Sequence, residues 1–344
     1  MFKLANKIRQ KDLEELIQNP IFKEFKNCTV MVTGATGLIG SEIVFAFLLY
    51  GGIKVVALVR NLEKAKKIFG CALDNPNLEI IVQDINTPIN YQNSVHYIVH
   101  TANTTSSAEM VKNPVEIMLT IINGTKNILE FAHKKKVKSL CYLSSLEVYG
   151  DVVSEEKISE DYLGSLDLTN PRSSYPEGKR AAECLCASYA AEYGVRVKIA
   201  RLTQTFGAGI SKEDNRVFAQ FAKSIIEKKD IILHTEGKTV RNYCYLTDAV
   251  SGILTILIKG TDGEVYNIAN ENTAISIRNM AELAAKNFNS RITFNLDNEN
   301  RGYNNYIKLC LDTLKLRKLG WKPYIDLQEM YRRTILFMEA EHNV

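Results

Sequence analysis

The sequence predicts an α/β protein built on a Rossmann-type, doubly wound parallel sheet, with a smaller C-terminal α/β lobe. Short, continuous apolar segments alternate with helical patterns from about residue 28 to residue 200, and such strands are typical of parallel sheets. A glycine-rich turn joins the first strand to the first long helix. Beyond Arg201 the alternation becomes irregular. We therefore expect a Rossmann domain over residues 28–200 and a mainly substrate-binding lobe over 201–344, with some segments returning to the Rossmann sheet.

The elements follow in order along the chain. Asp12–Ile17 has helical apolar spacing, so we expect residues 1–27 to form an N-terminal helical extension. The apolar run Cys28–Val32, the helical segment Leu38–Tyr50 and the apolar run Lys54–Leu58 predict a βαβ unit. Further strands are predicted at Leu78–Val82, Tyr97–His100, Ser139–Leu143 and Val195–Ala200, and long helices at Pro114–Lys134 and Ser174–Tyr193.

The composition argues against several other classes of protein. With 46% hydrophobic and 24% charged residues, the chain resembles an ordinary globular protein rather than a disordered one. The net charge of +4 is spread along the chain, and the basic cluster Lys134–Lys136 has no interleaved aromatic residues, so no nucleic-acid partner is expected. The seven cysteines form no CxxC pair, so we expect no metal site. Because Met1–Gln18 has no secretory pattern and Gly51-Gly52 interrupts the apolar stretch Ile43–Val59, we expect a cytoplasmic protein with no membrane partner.

The turn after the first strand carries a GxxGxxG variant of the dinucleotide fingerprint, Gly34-Ala35-Thr36-Gly37-Leu38-Ile39-Gly40. The first glycine makes the turn, the second lets backbone N–H groups approach a pyrophosphate, and the third allows close packing of the helix on the strand. A glycine-containing turn can also bind nothing, but this one lies between a strand and a helix. We expect cofactor contacts from Gly34, Thr36, Gly37, Leu38, Ile39 and Gly40.

The residues after the second and third strands bear on which dinucleotide is bound. NAD-binding proteins usually place an acid after the second strand, where it bonds the ribose 2′-hydroxyl. Here Arg60 and Asn61 follow, and an arginine can pair with the 2′-phosphate of NADP, so NADP(H) is favoured and NAD(H) is the alternative. Arg60 could also be an ordinary surface residue. Asp84 could contact the adenine edge or simply form a turn.

Tyr175 and Lys179 lie four residues apart in Tyr175-Pro176-Glu177-Gly178-Lys179, which places them on one face of a helix. A tyrosine pKa of about 10 hinders proton exchange near neutrality, and an adjacent ammonium together with an oxidised nicotinamide would lower that pKa. Ser145, at the end of a preceding strand, could donate a hydrogen bond to the same substrate oxygen. These residues predict proton transfer coupled to hydride transfer.

With these motifs the chain resembles the extended short-chain dehydrogenases/reductases, the NAD-dependent epimerase/dehydratase family, in its nucleotide-sugar-modifying branch. The resemblance covers nearly everything after residue 27. It is carried by Thr33 to Gly40, Gln83-Asp84-Ile85, His100-Thr101-Ala102, Asn123 to Asn127, Ser145 to Gly150, Tyr175 with Lys179, Arg201 to Gly207, and Leu319-Gly320-Trp321-Lys322-Pro323.

The resemblance implies roles for individual residues. Ser145, Tyr175 and Lys179 take the catalytic roles, and Glu147 stands where similar dehydratases and decarboxylases carry a catalytic glutamate. Glu147 could instead only bond sugar hydroxyls, and each arginine of the second lobe could be a surface or salt-bridge residue. Asp248 is expected to hold a loop or cap a helix. The resemblance further implies cofactor contacts from Ile85 and Ala102 and substrate contacts from Ser145, Glu147, Gln204, Arg216, Arg241 and Arg301.

Two departures from the family pattern bear on the reaction. Leu146 replaces the aspartate of sugar 4,6-dehydratases, and Arg60 replaces the NAD-selecting acid. Both favour an NADPH-dependent reductase of a carbonyl in a nucleotide-activated sugar or ketose, for example CDP-, UDP- or dTDP-linked, in surface polysaccharide precursor synthesis. The alternative is an NAD-dependent epimerase, decarboxylase or 4,6-dehydratase with internal redox cycling, and a third hypothesis is a non-catalytic dinucleotide-sensing regulator. The resemblance also implies a homodimer whose two long helices per subunit form a four-helix bundle.

Overall fold

The computed structural model describes residues 2–103, 106–288, 290–296 and 307–342. The strands are β1 (Thr29–Thr33), β2 (Lys54–Val59), β3 (Leu78–Val82), β4 (Tyr97–His100), β5 (Ser139–Ser145), β6 (Val197–Leu202), β7 (Gln204–Phe206), β8 (Ile231–Leu233), β9 (Val240–Tyr245), β10 (Val265–Ile268), β11 (Asn270–Ser276), β12 (Ile292–Phe294) and β13 (Lys308–Leu309). The α-helices are α1 (Lys7–Leu16), α2 (Leu38–Tyr50), α3 (Leu62–Phe69), α4 (Ser107–Lys112), α5 (Pro114–Lys135), α6 (Ser174–Tyr193), α7 (Val217–Ile226), α8 (Leu246–Lys259), α9 (Ile277–Phe288), α10 (Leu314–Lys318) and α11 (Leu327–His342). Short 3₁₀ helices lie at Pro20–Phe25, Gly70–Ala72, Leu146–Tyr149 and Pro171–Ser173.

Seven strands form one parallel sheet in the order β10-β6-β5-β4-β1-β2-β3. The strand order reverses between β1 and β4, because the chain builds outward through β2 and β3 and then returns to add β4 on the other side of β1. Ligands of open parallel sheets bind at the carboxyl ends of the strands beside such a reversal. The predicted Rossmann-type α/β fold is confirmed, and β10 is the segment that returns to this sheet from the C-terminal part of the chain.

Helices cover both faces of the sheet. On one face α2 and α8 pack over an apolar cluster that includes Val30, Val32 and Val55. On the other face α5 and α6 pack against each other and over Met31, Ile98 and other strand residues that point the opposite way. Alternate residues of the same strands therefore enter two separate cores, which explains the continuous apolar runs in the sequence. Among the described residues, no helix is long and apolar enough to cross a membrane.

The remaining strands lie in the C-terminal part of the chain. β9 pairs with β7, β11 and β13, and β8 pairs with β12. Helices α7, α9 and α11 surround a third apolar cluster beside these strands.

The starts of two elements differ from the sequence expectation by two residues or more, and several other bounds differ by one or two residues. The N-terminal helix begins at Lys7 rather than near Asp12, because the Asn6 side chain accepts hydrogen bonds from the backbone N–H groups of Ile8 and Arg9 and so caps an earlier turn. The strand expected from Val195 begins at Val197. Asn6 lies six positions before the apolar pattern Asp12–Ile17, and a capping residue of this kind is a signal that periodicity alone does not register.

Candidate active site

The glycine turn brings β1, α2 and the end of β4 into very close contact. Gly34 has a φ of +61°, and a Cβ there would lie 2.7 Å from Cα of Ala102. A Cβ on Gly40 would lie 2.4 Å from the carbonyl oxygen of Gly34, so α2 approaches the turn only because this residue is glycine. Gly37 occupies the N-cap position of α2, and no side chain of the described residues caps the helix. Its first backbone N–H groups are therefore suited to bind an anion.

A cavity of about 630 Å³ opens beside this turn. Its walls come from the turn, from the segments that follow β2, β3 and β4, and from residues 211–216. The side-chain amide of Asn103 lines the cavity, and both of its polar atoms are buried without a hydrogen-bond partner among the described residues. Since buried polar groups are normally paired, this amide is available to a polar ligand. The glycine cradle, the uncapped helix and the free amide together fit a dinucleotide.

The structure brings nine of the residues predicted from the sequence to this cavity. Those that line it are Gly34, Thr36, Gly37, Arg60, Asn61, Asp84, Ile85, Ala102 and Arg216. Leu38, Ile39 and Gly40 form the first turn of α2, and the Ile39 side chain packs against the apolar core instead. Any cofactor contact from Ile39 would therefore come from its backbone.

The end of the cavity beyond β2 is lined by Leu58, Val59, Arg60, Asn61 and Lys64, a set with two cations and no carboxylate. The Asn61 side chain accepts a hydrogen bond from the backbone N–H of Lys64 at 2.9 Å and so caps α3, which leaves Arg60 exposed beside it. Both roles considered for Asp84 are compatible with the structure, since it lines the cavity and also accepts a turn hydrogen bond from the backbone N–H of Asn86 at 2.8 Å.

The predicted catalytic residues meet at the end of β5, the strand next to β4 in the sheet. Tyr175 and Lys179 occupy adjacent turns of α6 and are 4% and 2% exposed. The Ser145 hydroxyl forms a hydrogen bond with Tyr175 and accepts another from the backbone N–H of Glu147 at 3.2 Å. Lys179 Nζ donates to the carbonyl oxygen of Leu143 at 2.6 Å and lies 4.7 Å from the ring centroid of Tyr142. The lysine is therefore held by the backbone of the strand that carries Ser145.

Burial dominates the electrostatics of this pair. It lowers the pKa of Lys179 to about 7. Burial, and then the charge of Glu147, raise the pKa of Tyr175 above its usual value, while the Ser145 hydrogen bond and the charges of Arg172 and Arg216 lower it. In the protein alone desolvation therefore outweighs the nearby cations, and the lowering of the tyrosine pKa by the ammonium together with an oxidised nicotinamide stays a prediction.

Glu147 has a partner that the sequence reasoning missed. Arg172 Nη2 donates to both carboxylate oxygens of Glu147, at 3.0 and 2.8 Å. The same guanidinium lies 5.8 Å from the ring centroid of Tyr175, and both charged side chains are about 30% exposed. An arginine three residues before the tyrosine in a helical pattern was the available signal, since that spacing places both on one face. The site thus contains a half-exposed carboxylate and cation beside the phenol.

The substrate residues predicted in the second lobe do not all lie at the cavity. Arg216 lines the cavity, where its guanidinium is paired with Asp214 at 2.6 Å. Gln204 and Arg241 lie on the adjacent strands β7 and β9, and neither lines this cavity. Arg301 lies outside the described residues. Asp248 accepts hydrogen bonds from the backbone N–H groups that precede α11, so its predicted role in holding a loop is confirmed.

Comparison with known proteins places this geometry in a family. The model of the NAD dependent epimerase/dehydratase family matches residues 30–269. UDP-glucuronic acid decarboxylase 1 of Danio rerio is 28% identical over 345 residues, covering 98% of this chain and 80% of that protein. UDP-glucuronic acid decarboxylase 1 of Arabidopsis thaliana is 29% identical, covering 90% of this chain and 69% of that protein.

Solved structures share the fold. A UDP-glucose 4-epimerase of Thermotoga maritima, solved with UDP-glucose, superposes with a TM-score of 0.78 at 23% identity, covering 91% of this chain and 99% of that one. A UDP-glucuronic acid 4-epimerase of Bacillus cereus, solved with NAD, gives a TM-score of 0.76 at 22% identity, covering 92% and 98%.

These relatives are named for decarboxylation or epimerisation rather than for net reduction, so they do not support the predicted NADPH-consuming reductase or the preference for NADP. The predicted enzyme class is confirmed by the match to the family model. By that match, which spans well over half of its length, the chain belongs to the NAD dependent epimerase/dehydratase family.

Proposed function

We propose that the protein is a nucleotide-sugar enzyme that retains NAD through an internal redox cycle, and that its reaction is the decarboxylation of a UDP-linked uronic acid. The observation that carries the proposal is the set of buried Tyr175 and Lys179 beside Ser145, one strand away from the cavity that fits a dinucleotide. The relatives named above supply the choice of substrate, since two of them are UDP-glucuronic acid decarboxylases.

The first step is the oxidation of a sugar hydroxyl at C4. Tyr175 accepts the hydroxyl proton as a phenolate, the form that the positive charges of Lys179 and of an oxidised nicotinamide would favour, and the Ser145 hydroxyl bonds the same oxygen. When bound, NAD supplies the acceptor for the C4 hydride and returns that hydride at the end of the cycle. Lys179, fixed by the carbonyl of Leu143, lies beneath the phenol and stabilises the phenolate while it exists.

The 4-keto group makes the sugar carboxylate easy to lose. The C5–C6 bond breaks, carbon dioxide leaves, and the bonding electron pair moves to the oxygen at C4 as an enolate. A proton then adds to C5, and the ketone is reduced again while Tyr175 returns its proton. The cycle consumes one proton and releases one carbon dioxide, with no net change in the cofactor.

The Glu147–Arg172 pair suits this chemistry. Arg172 offers a cation beside Tyr175 that can bind the carboxylate of a uronic acid, and Glu147 can carry the proton that is added at C5. Leu146, which is 4% exposed, offers no acid to a departing hydroxyl. We therefore favour decarboxylation over 4,6-dehydration.

A second function is favoured by one specific observation. Arg60 and Lys64 line the cavity beside the end of β2, and two cations there would attract the 2′-phosphate of NADP. If that phosphate is bound, the enzyme would be a reductase that consumes NADPH.

One experiment separates the two. The nucleotide released from the purified protein is identified by mass spectrometry, and the protein is then incubated with UDP-glucuronic acid, with and without NADPH. The proposal expects NAD in the protein and formation of UDP-xylose without added cofactor. Bound NADP, or turnover only while NADPH is consumed, would support the reductase. UDP-galacturonic acid as the product would show epimerisation in place of decarboxylation. Tyr175→Phe should lose turnover and keep NAD binding, which controls for a contaminating activity.

We also propose a homodimer built from α5 and α6 of each subunit. These helices pack together along one face of the sheet, and α5 exposes Val115 and Leu119, at 63% and 50%, on consecutive turns. Two such apolar surfaces can cover each other in a four-helix bundle.

A further inference from the structure

Helix α1 lies before the residues matched by the family model, yet one of its side chains contacts α2, the helix whose N-terminus lies at the cofactor cavity. Arg9 Nε donates to the Glu42 carboxylate at 2.9 Å, and Arg9 Nη2 donates to the Ser41 hydroxyl at 2.9 Å. The Arg9 side chain is 13% exposed, and its guanidinium also lies 4.8 Å from the ring centroid of Phe45. Arg9 is therefore a largely buried cation bound to α2.

The contacts of Arg9 fall on the first turns of the helix whose N-terminus faces the cavity. The Ser41 hydroxyl in turn donates a hydrogen bond to the carbonyl oxygen of Leu38, the first residue of α2. Glu42 is fully buried, and one of its two carboxylate oxygens has no hydrogen-bond partner among the described residues. The bond from Arg9 is thus the hydrogen bond that compensates a carboxylate removed from water.

Arg9 also lies beside the loop between β7 and α7. There is no room for a side chain at Gly209, since a Cβ there would lie 3.2 Å from both Cζ and Nε of Arg9. Gly209 has a φ of +112° and belongs to the loop between β7 and α7. Two residues later the same loop reaches the cavity, which is lined by Ser211 and by residues 213–216. One guanidinium therefore lies between two elements that both contribute to the cavity: it is hydrogen-bonded to α2 and is packed beside the loop 207–216.

We propose that Arg9 is a positioning residue for the dinucleotide site, acting by fixing the first turns of α2 against the loop 207–216. The proposal rests on the dinucleotide site of the proposed function. It predicts that loss of the guanidinium lets the walls move apart and weakens cofactor binding, although Arg9 itself does not line the cavity. The N-terminal extension would then be a working part of the cofactor site rather than an appendage.

The test measures NADH binding by fluorescence titration of the full chain, after bound nucleotide has been removed with charcoal. Arg9→Met should weaken NADH binding at least tenfold. Arg9→Lys, which keeps the charge but cannot reach two partners in the same geometry, should give a smaller loss and serves as the milder variant if Arg9→Met does not fold. Glu15→Gln is the matched control. It removes a charge from the same helix, where Glu15 bonds Arg333 of α11, and it should leave NADH affinity within about twofold of wild type.

A double variant distinguishes positioning from simple stability. Burial raises the pKa of Glu42 to about 7 even beside Arg9, so in Arg9→Met the acid must be held protonated in the fold, and unfolding at a lower temperature is expected. Adding Glu42→Gln replaces that acid with a neutral amide and should recover most of the melting temperature, while NADH binding stays weak because the guanidinium between α2 and the loop is still missing. Recovery of affinity together with stability, or unchanged affinity in Arg9→Met, would overturn the inference. If the wild-type chain itself bound no NADH, the proposed function would fail and not this inference alone.

Discussion

The buried ammonium of Lys179 lowers the stability of the folded protein, although the proposed reaction needs it. Both effects can be measured in one variant. Lys179 is 2% exposed, and burial lowers its pKa from 10.5 to about 7. The Lys179→Met variant keeps the length and volume of the side chain and removes the charge. We expect the variant to be more stable than the wild type at pH 6 and to have lost turnover.

The magnitude follows from the pKa values. One pKa unit corresponds to about 1.4 kcal/mol, so holding the ammonium in the folded protein below pH 7 costs roughly 3–5 kcal/mol. The substitution also removes the hydrogen bond to Leu143 and the contact with the ring of Tyr142, together about 1–2 kcal/mol. The expected net gain in the free energy of unfolding at pH 6 is therefore about 2 kcal/mol.

The sign with pH is fixed by linkage. The pKa of Lys179 is lower in the folded protein, so the unfolded chain binds more protons between about pH 7 and 10.5. The penalty is complete below pH 7, and the stability of the wild type recovers as the pH rises through this window. The advantage of Lys179→Met should accordingly shrink and then reverse toward pH 10.

The assay is urea unfolding of nucleotide-free protein at pH 6, 7, 8 and 9, with turnover measured in parallel. The control is Lys198→Met, which also removes a buried lysine. Lys198 pairs with Asp262 at 2.6 Å, so that variant should be less stable than the wild type at every pH. A Lys179→Met protein less stable than the wild type at pH 6, or a difference that does not change with pH, would refute the reasoning.

Three further predictions concern the cofactor cradle, a buried acid and the subunit interface. Gly40→Ala should weaken NAD binding tenfold or more, about 1.4 kcal/mol, because its Cβ would lie 2.4 Å from a backbone oxygen of the turn. The control Gly70→Ala, with open space around the added Cβ, should leave the NAD affinity measured by titration unchanged. Asp248→Ala should lower the free energy of unfolding in urea by about 1–3 kcal/mol, because two partly buried backbone N–H groups lose their acceptor, and NAD affinity should not change. Val115→Glu combined with Leu119→Glu should convert a dimer to a monomer in analytical ultracentrifugation; an unchanged mass would place the interface elsewhere.

The parts of the fold that the sequence predicted are those fixed by local pattern. The apolar runs gave β3 and β4 with correct bounds, and the helices at Leu38–Tyr50 and Ser174–Tyr193 were also correct, since each helix is followed directly by a glycine that ends it. The same spacing placed Tyr175 and Lys179 on one helical face. Such features depend on residues within one or two turns of each other.

The contacts that the sequence did not predict join segments far apart in the chain. Arg172 reaches Glu147 across 25 residues of loop and 3₁₀ helix, and Arg9 reaches Glu42 across 33 residues from outside the repeating pattern. No periodicity specifies these pairings, since they depend on how the loops pack after the sheet has formed. The lowered pKa of Lys179 could not be predicted from the sequence either, because the desolvation of this side chain depends on that packing.

The central claim is that one hydride leaves C4 of the sugar and returns to it within a single cycle. The most direct test is turnover of UDP-glucuronic acid carrying deuterium at C4, with the product examined by mass spectrometry and NMR. We expect UDP-xylose with the deuterium still at C4 and no requirement for added cofactor. Loss of the label to the nucleotide pool, or a product formed only with stoichiometric consumption of NADPH, would contradict it.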